Sequence, residues 1–173
     1  MNKILIGIVL MVLSVGIVTM RIIKKERFEA QVTGYLKLSA DANTIDLAAE
    51  NLEKAITYLE ANNLTSGNTG VFWETPERDI EFWYRNLKAS LDGLHNLESD
   101  SPLERTNVLI KLRETLVDTG DNGNKVTVPG GLEVYPANGK WTLYMFAACG
   151  LFTAGLALAV GEAEQKRKQA AGA

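Results

Sequence analysis

Two stretches of the chain carry no charged residue: positions 4–20, 17 residues, and positions 141–161, 21 residues. As α-helices they would be about 26 Å and about 32 Å long, against a bilayer hydrocarbon core of about 30 Å. All 39 charges (18 basic, 21 acidic) of the 173-residue chain therefore crowd into the other 135 positions, which excludes a single soluble domain. The first stretch is slightly short, and Arg21, Ile22 and Ile23 complete it if the Arg21 guanidinium snorkels to the headgroups. A cleaved signal peptide would use Lys3 as its basic start and Ser14, Val15 and Gly16 as its small-residue cut. The apolar run instead continues beyond Gly16 into a basic cluster, so residues 1–25 are expected to be a transmembrane anchor.

The second stretch opens with Trp141 and Tyr144, where interfacial aromatics belong, and closes before Glu162, Glu164 and Lys166. Residues 141–161 are expected to span the membrane and residues 162–173 to form a short basic tail. Two spans put both termini on one side. Arg21, Lys24, Lys25, Arg27 and Lys140 border the intervening segment, against Lys3, Lys166, Arg167 and Lys168 at the ends. The denser cluster after the first span slightly favours a domain on the cytoplasmic side of a bacterial cytoplasmic membrane. The same cations suit anionic lipid headgroups, and ordinary topology charges explain them equally.

Within the second span, Cys149, Thr153, Ala157 and Gly161 recur every fourth position, and Gly150 and Ala154 form a parallel row. Small residues let helix backbones approach closely where lipid offers no hydrophobic drive. This row is a candidate helix-packing interface for a homo-oligomer or another membrane subunit. Packing against the first span, which offers Gly7 and Ser14, would use residues of the same kind.

Residues 26–140 hold 19 acidic and 11 basic groups, a net charge of −8. Such a domain repels phosphate backbones, so no nucleic-acid partner is expected. The single Cys excludes a disulfide scaffold. Residues 26–40 read as a prolongation of the first helix, with a bend near residues 41–43. Asn43 or Thr44 then caps a helix whose buried face is Ile45, Ala48, Leu52, Ala55, Ile56 and Leu59, with Glu50 and Lys54 paired on its wet side. Thr75 and Pro76 announce a second helix with the stripe Ile80, Trp83, Tyr84, Leu87, Leu91 and Leu94. Ser101, Pro102 and Glu104 read as the capping box of a third, with Leu109, Leu112, Leu116 and Val117 buried and Gly120 as its stop. The period then changes to two. Residues 125–128 and 132–135 flank Pro129, Gly130 and Gly131, which predicts a hairpin collar over residues 125–140. The expected fold is mainly α: two transmembrane helices flanking a small antiparallel helical bundle (residues 26–124), with a short β-hairpin next to the membrane.

Chemistry is sparse. His95 is the only histidine and lies at the end of the second helix, where a structural role is expected. With one Cys and one His, no transition-metal site is expected. The run from Asp118 begins like a calcium loop, but Gly120 stands at its third position and Pro129 at its twelfth, where ligands are needed. No phosphate loop or nucleophile elbow is present, and neither a catalytic residue nor a cofactor is expected. The aromatic residues are more informative. Phe72 and Trp73 precede the second helix, and Phe82 lies about 200° from Ile80 around it, on the polar side. Phe72, Trp73 and Phe82 are candidate contacts for a partner or the headgroup zone, unless the loop folds back to cover Phe82.

A span, a helical domain and a second span resemble the input half of bacterial transmembrane receptors, in architecture only. Twelve residues follow the second span in this sequence, so sensing would pass through a partner. The expectation is a non-enzymatic, membrane-anchored interaction protein, an accessory or scaffold subunit. The alternative is a ligand-binding sensor with a pocket near His95 and Tyr84.

Overall fold

The computed structural model describes residues 3–99, 101–120 and 123–172. It divides into two compact units: Lys25–Asn138, and the residues up to Lys24 together with those from Gly139 onward. The architecture is mainly helical, with one two-stranded antiparallel hairpin.

The chain starts as α1 (Lys3–Phe28), passes through a π-helical turn at Glu29–Thr33 and continues as α2 (Gly34–Ala40). The π turn inserts a residue into the helix and brings Val32, Leu36 and Ala40 to a buried face. Helix α3 (Ile45–Ala61) begins where Thr44 Oγ1 accepts from the Leu47 N–H at 3.3 Å. Its core face is Ile45, Ala48, Leu52, Ala55, Ile56 and Leu59, and Lys54 donates to Glu50 at 2.7 Å on the opposite face. The buried Ser39 hydroxyl donates to the Ala48 carbonyl at 2.8 Å, tying α2 to α3.

Helix α4 (Ile80–His95) starts later than Thr75 and Pro76 suggested. Residues Pro76–Arg78 form one 3-10 turn, Thr75 makes no side-chain cap bond, and Asp79 caps α4 by accepting from the Phe82 N–H at 3.1 Å. Ile80, Trp83, Leu87, Leu91 and Leu94 are buried, while Tyr84 sits half-buried at the edge of that stripe. Helix α5 (Pro102–Leu116) has Pro102 in its first turn, but Ser101 makes no side-chain cap bond, so no capping box closes it. Leu112 and Leu116 are buried and Leu109 is half-buried.

The hairpin is displaced from its expected place. Val117–Gly120 (β1) pairs antiparallel with Gly123–Val126 (β2), from Val117 opposite Val126 to Gly120 opposite Gly123. Helix α5 therefore ends at Leu116, not at Gly120. The Thr127 N–H donates to the Leu116 carbonyl at 2.8 Å, and Val117 and Val126 pack on the core. Residues 132–135 do not form a strand: Gly131 is left-handed (φ 90°) and Leu132–Val134 is a 3-10 turn that buries both Leu132 and Val134. Their apparent period of two is one turn of tight helix. Asp118 and Gly120, read as the start of a possible calcium loop, lie in β1, and residues 121 and 122 fall outside the described set.

In the other unit, α1 lies against α6 (Asn138–Ala171) in antiparallel fashion. Both helices are long and apolar enough to cross a membrane, and 11% of each apolar window is buried. The Ile4 N–H donates to Glu162 Oε2 at 3.0 Å at one end, and Lys24 Nζ lies 5.9 Å from the Trp141 ring at the other. Between them a Cβ added to Gly7 would lie 2.5 Å from the Gly155 carbonyl oxygen, and one on Gly155 would lie 2.6 Å from that of Gly7. Only glycine permits that approach. The buried Ser14 hydroxyl donates to the Ala148 carbonyl at 2.8 Å and fixes the register.

Candidate functional site

Three surfaces carry the candidate residues. The first is the loop between α3 and α4. Its base is closed by the Ile80 N–H donating to the Gly67 carbonyl at 2.9 Å and the Thr69 N–H to the Arg78 carbonyl at 3.1 Å. Inside it, Asn68 Nδ2 donates to the Thr75 carbonyl at 3.0 Å, and Asn68 Oδ1 accepts from the Gly70 N–H at 2.8 Å. Two glycines are required here. A side chain on Gly70 would collide with the Trp73 carbonyl, and Gly67 (φ 99°) lies under the Tyr135 hydroxyl. Thr69 is buried beneath the loop.

This scaffold holds Phe72 and Trp73 outward, 74% and 79% exposed, with ring centroids 5.9 Å apart. Phe82 is 65% exposed, so the loop does not fold back over it. The Phe72–Trp73 concavity and the one beside Phe82 both include Glu77 in their walls. The surroundings carry both signs of charge: Glu74, Glu77 and Arg78 are exposed, and Glu77 and Arg78 both line the Phe72–Trp73 concavity. Trp83, by contrast, is inside, its indole N–H donating to the Thr127 carbonyl at 2.8 Å.

The second surface is a shallow groove of about 340 Å³ between α4 and α5, formed by Asn86, Ala89, Ser90 and Gly93 on one side and Val108, Lys111 and Thr115 on the other. It meets the Phe82 concavity at Asn86 and Thr115. His95 and Tyr84, the residues around which a sensor pocket was expected, line neither hollow. His95 is exposed, and the Tyr84 hydroxyl donates to Glu60 Oε1 at 2.5 Å. Partial burial first, and then the Glu60 carboxylate, push the Tyr84 phenol up to about 12. Among the described residues, no group of three or more His, Cys, Asp or Glu side chains is placed to hold a metal ion.

The third surface is on α6. The intrachain contact uses Ala148, Gly155 and Ala159, which leaves Cys149, Gly150, Thr153, Ala154, Ala157 and Gly161 exposed. The alternative in which the first span covers that row is thus not what the helix pair does. The Thr153 hydroxyl donates back to the carbonyls of Cys149 and Gly150 at 3.0 Å each, so it needs no external partner. A groove of about 510 Å³ opens where the helices part, bounded by Ser14, Val18 and Ile22 on α1 and by Cys149, Phe152 and Thr153 on α6.

Phe72, Trp73 and Phe82 and the small-residue row on α6, singled out from the sequence, are all exposed. The α4–α5 groove was not anticipated, and its one local signal is Gly93 in the last turn of α4. No protein-family model matches the chain, and neither a curated protein nor a solved structure does.

Proposed function

We propose that the chain is a non-enzymatic, membrane-anchored interaction protein, an accessory or scaffold subunit of a larger membrane assembly. The observation that carries this reading is the aromatic loop. Phe72 and Trp73 are held exposed on a loop braced by the Asn68 side chain, which bonds both the Thr75 carbonyl and the Gly70 N–H. A large exposed aromatic pair on a preorganised support suits a binding anchor, because little conformational entropy is lost when a partner covers it. The mixed charges beside it, Glu74, Glu77 and Arg78, suit the polar rim of a protein interface. In the same reading α1 and α6 anchor the chain in a bilayer, and the exposed row on α6 contacts another membrane subunit. The basic residues Arg21, Lys24, Lys25 and Arg27 favour a cytoplasmic domain.

The sensor alternative receives less support, since His95 is exposed and the Tyr84 hydroxyl is engaged by Glu60. The test is the double variant Phe72→Ser, Trp73→Ser, compared with wild type for complexes that copurify in mild detergent. Loss of a specific partner with an unchanged unfolding midpoint supports the reading. An unchanged set of partners removes the loop from it. Ala154→Leu and Ala157→Leu test the α6 row in the same way.

A further inference from the structure

We propose that two copies of the chain pair through α4, antiparallel and about a two-fold axis, with Phe82 of each copy seated at Gly93 of the other. Gly93 lies in the last turn of α4, third from its C-terminal end, and a Cβ placed there would meet nothing within 4 Å. Neither a tight turn nor a close neighbour within the chain accounts for it. Its effect is to leave the floor of the α4–α5 groove bare.

Phe82, Asn86, Ala89 and Gly93 fall within about 60° of one another around the helix and form one outward stripe. Their spacings of 4, 3 and 4 are those of a helix-pairing seam. All four are exposed. The stripe is self-complementary when reversed: the largest member meets the smallest at each end, and Asn86 meets Ala89 at the centre. That is the property an isologous interface requires.

The charges agree with the same arrangement. Lys111 lines the α4–α5 groove, between Val108 and Thr115 on α5, and Glu77 and Asp79 line the hollow at the Phe82 end. Reversal on the two-fold axis brings each Lys111 towards the acidic pair of the other copy. On the opposite flank Arg85 and Asp92, seven positions apart on α4, are brought together twice. A domain with a net charge of −8 would otherwise repel its own copy, so this local pairing selects one register.

The decisive experiment uses full-length chains in mild detergent with Cys149→Ser as background. Phe82→Cys and Gly93→Cys are made on separate copies and oxidised alone and mixed. In the mixture one native Phe82–Gly93 contact survives in each mixed dimer while the other becomes a cysteine pair. In either variant alone the like cysteines lie about 16 Å apart along the helices. A disulfide-linked dimer formed only in the mixture supports the pairing. Its absence in the mixture, or equal yields in the single-variant samples, overturns it. Gly93→Leu is the companion variant, read by light-scattering mass. The proposal requires at least a tenfold weaker dimer, with an unfolding midpoint equal to or above that of wild type. A dimer indifferent to Gly93→Leu also overturns it and assigns the contact elsewhere, for example to Ala154 and Ala157. Because the readout is self-association, a negative result leaves the Phe72–Trp73 reading to stand or fall on its own test.

Discussion

In the α1–α6 pair two glycine backbones pack directly against each other, whereas in the domain the contacts between α2, α3 and α4 are filled by leucines. Gly7 and Gly155 approach until neither tolerates a methyl group, and Ser14 adds one buried hydrogen bond. Leu36, Leu52, Leu59 and Leu87 are almost wholly buried. The long apolar side chains of the helix pair, Leu5, Val12, Leu143 and Phe146 among them, instead face outward. If α1 and α6 cross a bilayer as proposed, one alphabet of apolar residues serves two solvents. In water the gain comes from removing side chains from solvent, and in lipid it comes from packing and hydrogen bonding between backbones.

The comparison would break most visibly at the leucines. Leu59→Ala should destabilise the domain by about 2–5 kcal/mol, the usual range for a buried leucine that leaves a cavity. Val12→Ala, at a site 63% exposed on α1, should leave the same transition unmoved. Urea unfolding of the full chain in mild detergent, followed by the fluorescence of buried Trp83 in a Trp73→Phe, Trp141→Phe background, measures both. Similar losses at the two sites would mean that Val12 is covered within the protein.

The glycines sharpen the other half. Gly155→Leu must push the helices apart, because the neighbour it meets is backbone. Gly150→Leu, on the same helix, meets nothing within 4 Å. With Cys149→Ser as background, a cysteine pair at Ser14 and Ala148 reports the contact. Cross-linking should fall several-fold with Gly155→Leu and stay unchanged with Gly150→Leu.

A smaller effect separates two helix starts. Thr44→Ala removes a cap bond to Leu47 and should cost about 1 kcal/mol, whereas Ser101→Ala, with no cap bond to lose, should cost clearly less. The smallest is a pH effect confined to the domain. The Tyr84 phenol titrates near 12 in the fold and near an ordinary 10 when unfolded. Its contribution is therefore fully present below pH 10 and disappears as pH rises through 12. Absorbance titration should show one late phenol that Tyr84→Phe removes. Glu60→Gln should move it earlier.

What the sequence conveyed well was periodic burial. The stripes of α3 and α4 and the two long apolar helices were legible because each repeats one pattern for several turns. The failures were all at junctions. Val117 continued the α5 stripe and looked helical, but its hydrogen-bonding partner is the later Val126, which no local pattern reveals. Leu132 and Val134 alternated like a strand, although a left-handed Gly131 turns them into a 3-10 segment. Thr75 with Pro76 imitated a helix start that Asp79 supplies four residues later. Of the candidate surfaces, the outward position of Phe82 could be read from its angle around α4. That the α6 row stays open could not, because the pairing face is chosen by Gly7 and Ser14 on the distant α1.

The central claim is that α1 and α6 each cross a bilayer and leave the domain on one side with both termini on the other. Single cysteines at Lys3, Ser66 and Gln169 in the Cys149→Ser chain test it most directly. Ser66 is an exposed loop position, unlike the neighbouring Asn68, whose side chain holds the loop together. A membrane-impermeant thiol reagent is applied to intact cells, then again after permeabilisation. The account predicts that Lys3 and Gln169 behave alike and that Ser66 behaves oppositely. Three cysteines with the same accessibility would contradict it.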